Sequence, residues 1–84
     1  MKNKILIELI VPDICEVYNI YIPINRKIGN VIELINKAVT ELSNNSYIGS
    51  KKTGLYSKQT GVKYGIDELV RETDIKQGSK LILL

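Results

Sequence analysis

The sequence predicts an α+β fold, a mixed five-stranded sheet packed on one long helix, and three observations carry that reading. Apolar residues alternate with period two near both ends of the chain. The spacing switches to the helical period from residue 28 to residue 42, and short strand and turn patterns follow before the final apolar run. A chain of 84 residues holds one domain, 1–84, with a core that must be efficient because small domains bury a modest share of their surface. Hydrophobic residues at 44% and charged residues at 25% describe a folded globular domain, not a disordered tail.

The first element is "KILIELIVP", where Ile5, Ile7, Leu9 and Val11 fall on one strand face and Leu6, Glu8 and Ile10 on the other. "PDIC" supplies turn chemistry through Pro12 and Asp13, and "EVYNIYIPI" alternates again with Tyr18, Ile20 and Ile22 in phase, so the two runs read as a hairpin. Ile28, Val31, Ile32, Ile35, Ala38, Val39 and Leu42 then form the buried stripe of a helix. Its start is poorly marked, since Lys27 stands where a capping side chain is expected and Gly29 falls in the first turn; its end is clear at "SNNSYIGS". Short strands are expected around "GLYS" and "VKYG" with a turn at "KQTG" between them. Asp67 is placed to cap a helical turn over "DELVRE", with Ile66 packing back on it. Gly78 marks a turn that needs a left-handed backbone, and "SKLILL" closes the sheet. That order fits a β-grasp arrangement with the first and last strands parallel at its centre, where the two most apolar runs belong.

Bulk properties exclude several classes. Glu8 interrupts the apolar start and no small-residue cleavage site follows, so a secretory signal is not expected, and no run approaches the roughly 20 residues of a membrane-spanning helix. With a single cysteine, Cys15, no internal disulfide forms, which suits a reducing compartment and makes the cytoplasm the expected location without membrane insertion. The sequence has no histidine, which removes Ser-His-Asp and Cys-His catalysis and the commonest metal ligand. Phosphate-cradling glycine motifs are missing too, so no catalytic, cofactor-binding or metal-ligating residue is assigned and no enzyme is expected. Glu68 and Glu72 lie i, i+4 if their turn is helical and read as a solvated face; Cys15 reads as an inert thiol between Ile14 and Glu16.

The Tyr-x-Ile-Pro of "YNIYIP", the helix opening "IGNVIELI", the Lys-x-Thr-Gly of "KQTG" and the ending formed by Ile75, Gly78, Leu81, Ile82 and Leu83 resemble ubiquitin-like proteins across essentially the whole chain. The closer likeness is to the YukD/EsaB-like group associated with type VII secretion systems of Gram-positive bacteria. The resemblance implies a non-enzymatic accessory or regulatory protein that docks on cytoplasmic parts of the secretion machinery. Conjugation and sulfur-carrier chemistry in this superfamily use a flexible Gly-Gly tail, whereas this sequence ends on Leu84 within the strand pattern. Such chemistry is therefore not expected, save in a longer or processed form.

Surface carries what remains. If one strand face meets the helix, Leu6, Ile10, Tyr21, Tyr56, Ile82 and Leu84 point away from it and gather into an apolar patch. Such a patch on a small protein implies a protein partner; a homodimer is the alternative occupant. A weak nucleic-acid binder using Lys51, Lys52, Lys58 and Lys63 with Tyr47, Tyr56 and Tyr64 ranks last, because the net charge is only +3.

Overall fold

The opening period-two runs form the hairpin. In the computed structural model, which describes residues 3–47 and 53–84, β1 (Lys4–Val11) pairs antiparallel with β2 (Glu16–Pro23), in a register from Lys4↔Pro23 to Val11↔Glu16. A 3-10 turn over Pro12–Ile14 joins them and ends on Cys15 at φ 53, whose N–H donates to the Pro12 carbonyl at 3.1 Å. Left-handed backbone costs a residue with a Cβ about 1 kcal/mol, so this corner stores a little strain.

β4 (Lys80–Leu83) lies parallel to β1, and β3 (Leu55–Ser57) runs antiparallel to β4, giving the order β2-β1-β4-β3. Among the described residues the sheet has four strands rather than the five expected. The "VKYG" segment contributes an isolated bridge from Lys63 to Tyr56 and no strand. Pairing stops there because β3 is only three residues long and Tyr64, the next residue, turns into the core.

The helix α1 spans Ile28–Leu42 and buries Ile28, Val31, Ile32, Ile35 and Val39 against the sheet. Leu42, counted in the stripe by its spacing, is exposed at the last position. No side chain caps the helix start. The Ile28 N–H donates instead to the Glu68 carbonyl at 2.8 Å and the Gly29 N–H to the Ile66 carbonyl at 2.9 Å. Gly29 eases that approach, since a Cβ there would sit a tight 3.3 Å from the Ile66 oxygen. At the other end Asn44 and Asn45 take left-handed conformations at φ 54 and 65, and the Asn45 N–H returns to the Thr40 carbonyl at 2.9 Å, closing the helix.

The 65–73 segment differs from its sequence reading. Asp67 caps nothing: the helical turn is a 3-10 turn over Val70–Glu72 with Leu69 at its N-cap and no side-chain bond there. Glu68 bonds the Gly65 N–H at 2.7 Å instead, and the Ile66 side chain is exposed. The N–H of Val70, which a capping Asp67 would serve, already donates to the Arg26 carbonyl at 3.0 Å. Val70 fills the core with Leu9, Leu55, Leu81 and Leu83, all at most 1% exposed.

Ile35, 1% exposed beneath the middle of α1, sets the first prediction: Ile35→Ala lowers stability in urea denaturation by about 2–5 kcal/mol, the transfer and cavity cost of removing a buried side chain. A smaller loss than about half a unit would place the stripe outside the core.

Candidate protein-docking face

The side of the sheet away from α1 is set by the register. Ile10 pairs with Val17 on one side and Ile82 on the other, Ile82 pairs with Tyr56, and Tyr56 bridges to Lys63. Because partners in register share a face, Val17, Ile10, Ile82 and Tyr56 form one apolar row across all four strands. Leu84 extends it, two residues beyond Ile82 on the same face, and its N–H donates to the Gly54 carbonyl at 3.0 Å. Val17 and Leu84 are 54% and 53% exposed, and Ile10, Ile82 and Tyr56 are half-buried by their neighbours in the row.

Of the six residues read from the sequence, Ile10, Tyr56, Ile82 and Leu84 come together, whereas Leu6 and Tyr21 pair with each other elsewhere. A polar row separates the groups: Asn19, Glu8 and Lys80 are partners in register. β4 begins at Lys80 opposite Glu8, so Leu6 meets the turn before β4, with its N–H on the Gln77 side-chain oxygen at 2.8 Å and its carbonyl taking the Gly78 N–H at 2.8 Å. Leu6 and Ile10 stand about 13 Å apart along the strand. Val17 was overlooked in the sequence, although it shares the phase of Tyr21.

Other groups singled out in the sequence do not converge on a reaction centre. Cys15 is exposed at the hairpin corner, with its Sγ near the Pro12 carbonyl at 3.7 Å. Glu68 and Glu72 are not on a common helix, and among the described residues no cluster of three His, Cys, Asp or Glu could hold a metal. Tyr47 and Tyr64 are buried, their hydroxyls donating to Asn36 at 3.1 Å and Asp74 at 2.6 Å, which withdraws both rings from base stacking. Lys51 and Lys52 lie outside the described residues. Burial first, and then the bond to Asp74, push the Tyr64 hydroxyl up to about 12. No helix among the described residues is long and apolar enough to cross a membrane.

No family model matches the chain, and no curated protein is significantly similar in sequence. Solved structures do resemble it. The ubiquitin-like domain of the Mycobacterium tuberculosis type VII secretion system protein EccD1 superposes with a TM-score of 0.74 at 9% identity, over 96% of this chain and 97% of that one. A ubiquitin-like domain from an Arabidopsis thaliana protein gives 0.69 at 15% identity, over 98% and 77%. A chain of the toluene 4-monooxygenase HD complex gives 0.75 at 10% identity, over 95% of each. At such identities the likeness is one of fold. The chain has the ubiquitin-like β-grasp fold, and a fold present in both a secretion protein and an oxygenase complex does not select an activity.

Two outcomes follow from this geometry. Ile82→Lys, on the outer row, should cost roughly 1 kcal/mol or less because its ammonium can reach water. Leu83→Lys should instead abolish the cooperative thermal transition by burying an unpaired charge. Equal damage from both would mean that β4 is buried on two sides. For Tyr64, the raised value favours the protonated hydroxyl in the fold, so its stabilisation is complete below the ordinary value of 10.0 and is lost as pH rises toward about 12. Tyr64→Phe should therefore flatten the fall in stability over that window relative to the parent; identical slopes would remove the coupling.

Proposed function

We propose that the chain is a non-enzymatic accessory or regulatory protein of a type VII secretion system, of the YukD/EsaB kind of Gram-positive bacteria, that works in the cytoplasm by docking on the machinery through its outer sheet face. The observation that carries the reading is the apolar row of Val17, Ile10, Ile82 and Tyr56 with Leu84 beside it, on a face that the fold does not use for its own core. Two further lines support it: the motifs around "YNIYIP", "KQTG" and the closing strand, and the shared fold of the ubiquitin-like domain of EccD1, itself a type VII secretion protein.

The physical logic is that of a small interface anchored by aromatic and aliphatic side chains. A row that crosses four strands is rigid, so a partner loses little to ordering it, and Tyr56 supplies the aromatic anchor such interfaces favour. The polar row of Asn19, Glu8 and Lys80 at its border is where hydrogen bonds can set orientation.

The test uses the purified chain with the cytoplasmic domains of the secretion machinery from its own genome, read by calorimetry, together with export of the system's substrates in cells. The parent should bind at least one such domain, and its deletion should change export. Ile82→Lys, melting within a few degrees of the parent, should lose at least about tenfold in affinity, since charge at the centre of an apolar row must be desolvated to bind. Full binding by a folded Ile82→Lys protein would move docking off this face; unchanged export on deletion would remove the secretion role.

A further inference from the structure

A second surface lies where the turn after β3 approaches the turn before β4. There an open cleft of about 530 Å3 is lined by Lys58, Lys76 and Lys80, together with Leu81 and Gly78. None of the three lysines has an ion-pair partner among the described residues. The carboxylate in the cleft wall, Asp74, is held by the Tyr64 hydroxyl at 2.6 Å, and Glu8, the cross-strand partner of Lys80, shares the outer sheet face with it. Lys58, Lys76 and Lys80 thus outnumber the two nearby carboxylates, Asp74 in the wall and Glu8 beside Lys80, and in a concave site low-dielectric walls concentrate the field.

We propose that this cleft binds an acidic segment of a protein partner, with Lys58, Lys76 and Lys80 meeting its side-chain carboxylates. The backbone donors of the lining explain why the occupant is a spread of carboxylates and not one chelated anion. The N–H groups of Lys58, Gly78 and Ser79 donate to the carbonyls of Lys80, Leu6 and Lys76, and that of Lys76 donates to the Ser79 hydroxyl at 2.9 Å. No converging backbone cradle for a phosphate is left from these groups. What remains is three flexible ammonium groups, which act as separate point charges. A nucleic acid would also want an exposed ring to stack on, and the aromatic residue of this cleft, Tyr64, is 9% exposed with its hydroxyl engaged. The inference concerns a different surface from the apolar row and stands whichever machinery that row docks on.

The decisive experiment titrates the 15N-labelled intact chain with a capped peptide of alternating Glu and Ser, with its Gln-for-Glu analogue, and with oligothymidylate. The acidic peptide should shift the amides of Lys58, Gln59 and residues 76–80 saturably, and its affinity should fall steeply between about 50 and 300 mM salt as the Debye length shortens. Lys58→Gln combined with Lys76→Gln and Lys80→Gln should weaken it by about tenfold or more. Asp74→Asn should strengthen it by about threefold, because it removes the repelling carboxylate. Thermal melting verifies each fold; if Asp74→Asn melts early, the lysine variants and the salt series decide. Equal shifts by the Gln analogue, parental affinity in the folded triple variant, or tighter binding of oligothymidylate at the same amides would each overturn the proposal.

Discussion

The start of α1 is held by backbone, and much of the molecule depends on that clamp. A helix N-terminus exposes N–H groups that need acceptors. Here the carbonyls of Ile66 and Glu68 serve two of them, Lys27 bridges to Leu69, and the N–H groups of Val70 and Arg71 return to the carbonyls of Arg26 and Ile24 at 3.0 Å each. These bonds tie residues 24–29 to residues 66–71 over a separation of some forty positions in sequence. They orient α1 on the sheet and place Val70 beneath it. They also deliver the chain to the point from which β4 enters between β1 and β3.

The outer face inherits its form from that delivery. Because β4 begins opposite Glu8, its register puts Lys80 beside Glu8 and Ile82 beside Ile10, and the apolar row and the polar row alternate as a result. A shift of one residue would send Leu81 and Leu83 outward and bury Ile82, so the core and the outer apolar row are specified together. The same entry point leaves the turn of Gln77 and Gly78 against Leu6, which divides Leu6 and Tyr21 from the row. The same turn also lines the lysine cleft.

The sequence showed most of what depends on periodicity and little of what depends on register. Alternation separated Ile7, Leu9, Leu81 and Leu83 from Ile10 and Ile82, and helical spacing placed Ile35 and Val39, because each pattern follows from local geometry alone. Gly78 was legible as a positive-φ turn residue. The clamp on α1 was not, since its acceptors are carbonyls that every residue carries; its trace was Gly29 in the first helical turn, read there as a weakness. Asp67 looked like a cap because its side chain suits one, yet the backbone it would have served was already bonded. The break between Leu6 and Ile10 was invisible for a related reason: Glu8 stood between them in the sequence, but only the pairing with Asn19 and Lys80 turns one charge into a polar row. Tyr47 and Tyr64 gave no sign of burial, because a tyrosine goes inside only where its hydroxyl finds a partner, and Asn36 and Asp74 are distant enough in sequence to hide that pairing.

In the proposed reading, the two surfaces divide the work of recognition along physical lines. An apolar row on a rigid sheet would hold a partner by excluded water and close packing, terms that act at short range and set how slowly a complex dissociates. Three lysines without ion-pair partners among the described residues would act at longer range, raise the encounter rate and be screened by salt. Lys80 belongs to both, since it lines the cleft while sitting in the polar row next to the apolar one. A partner carrying an acidic segment beside an apolar strip could therefore be drawn to the cleft and oriented toward the row with no rearrangement of the sheet. The energetic requirement is modest: each surface alone is small, and a short connection between the two elements of the partner converts the second contact into an intramolecular step.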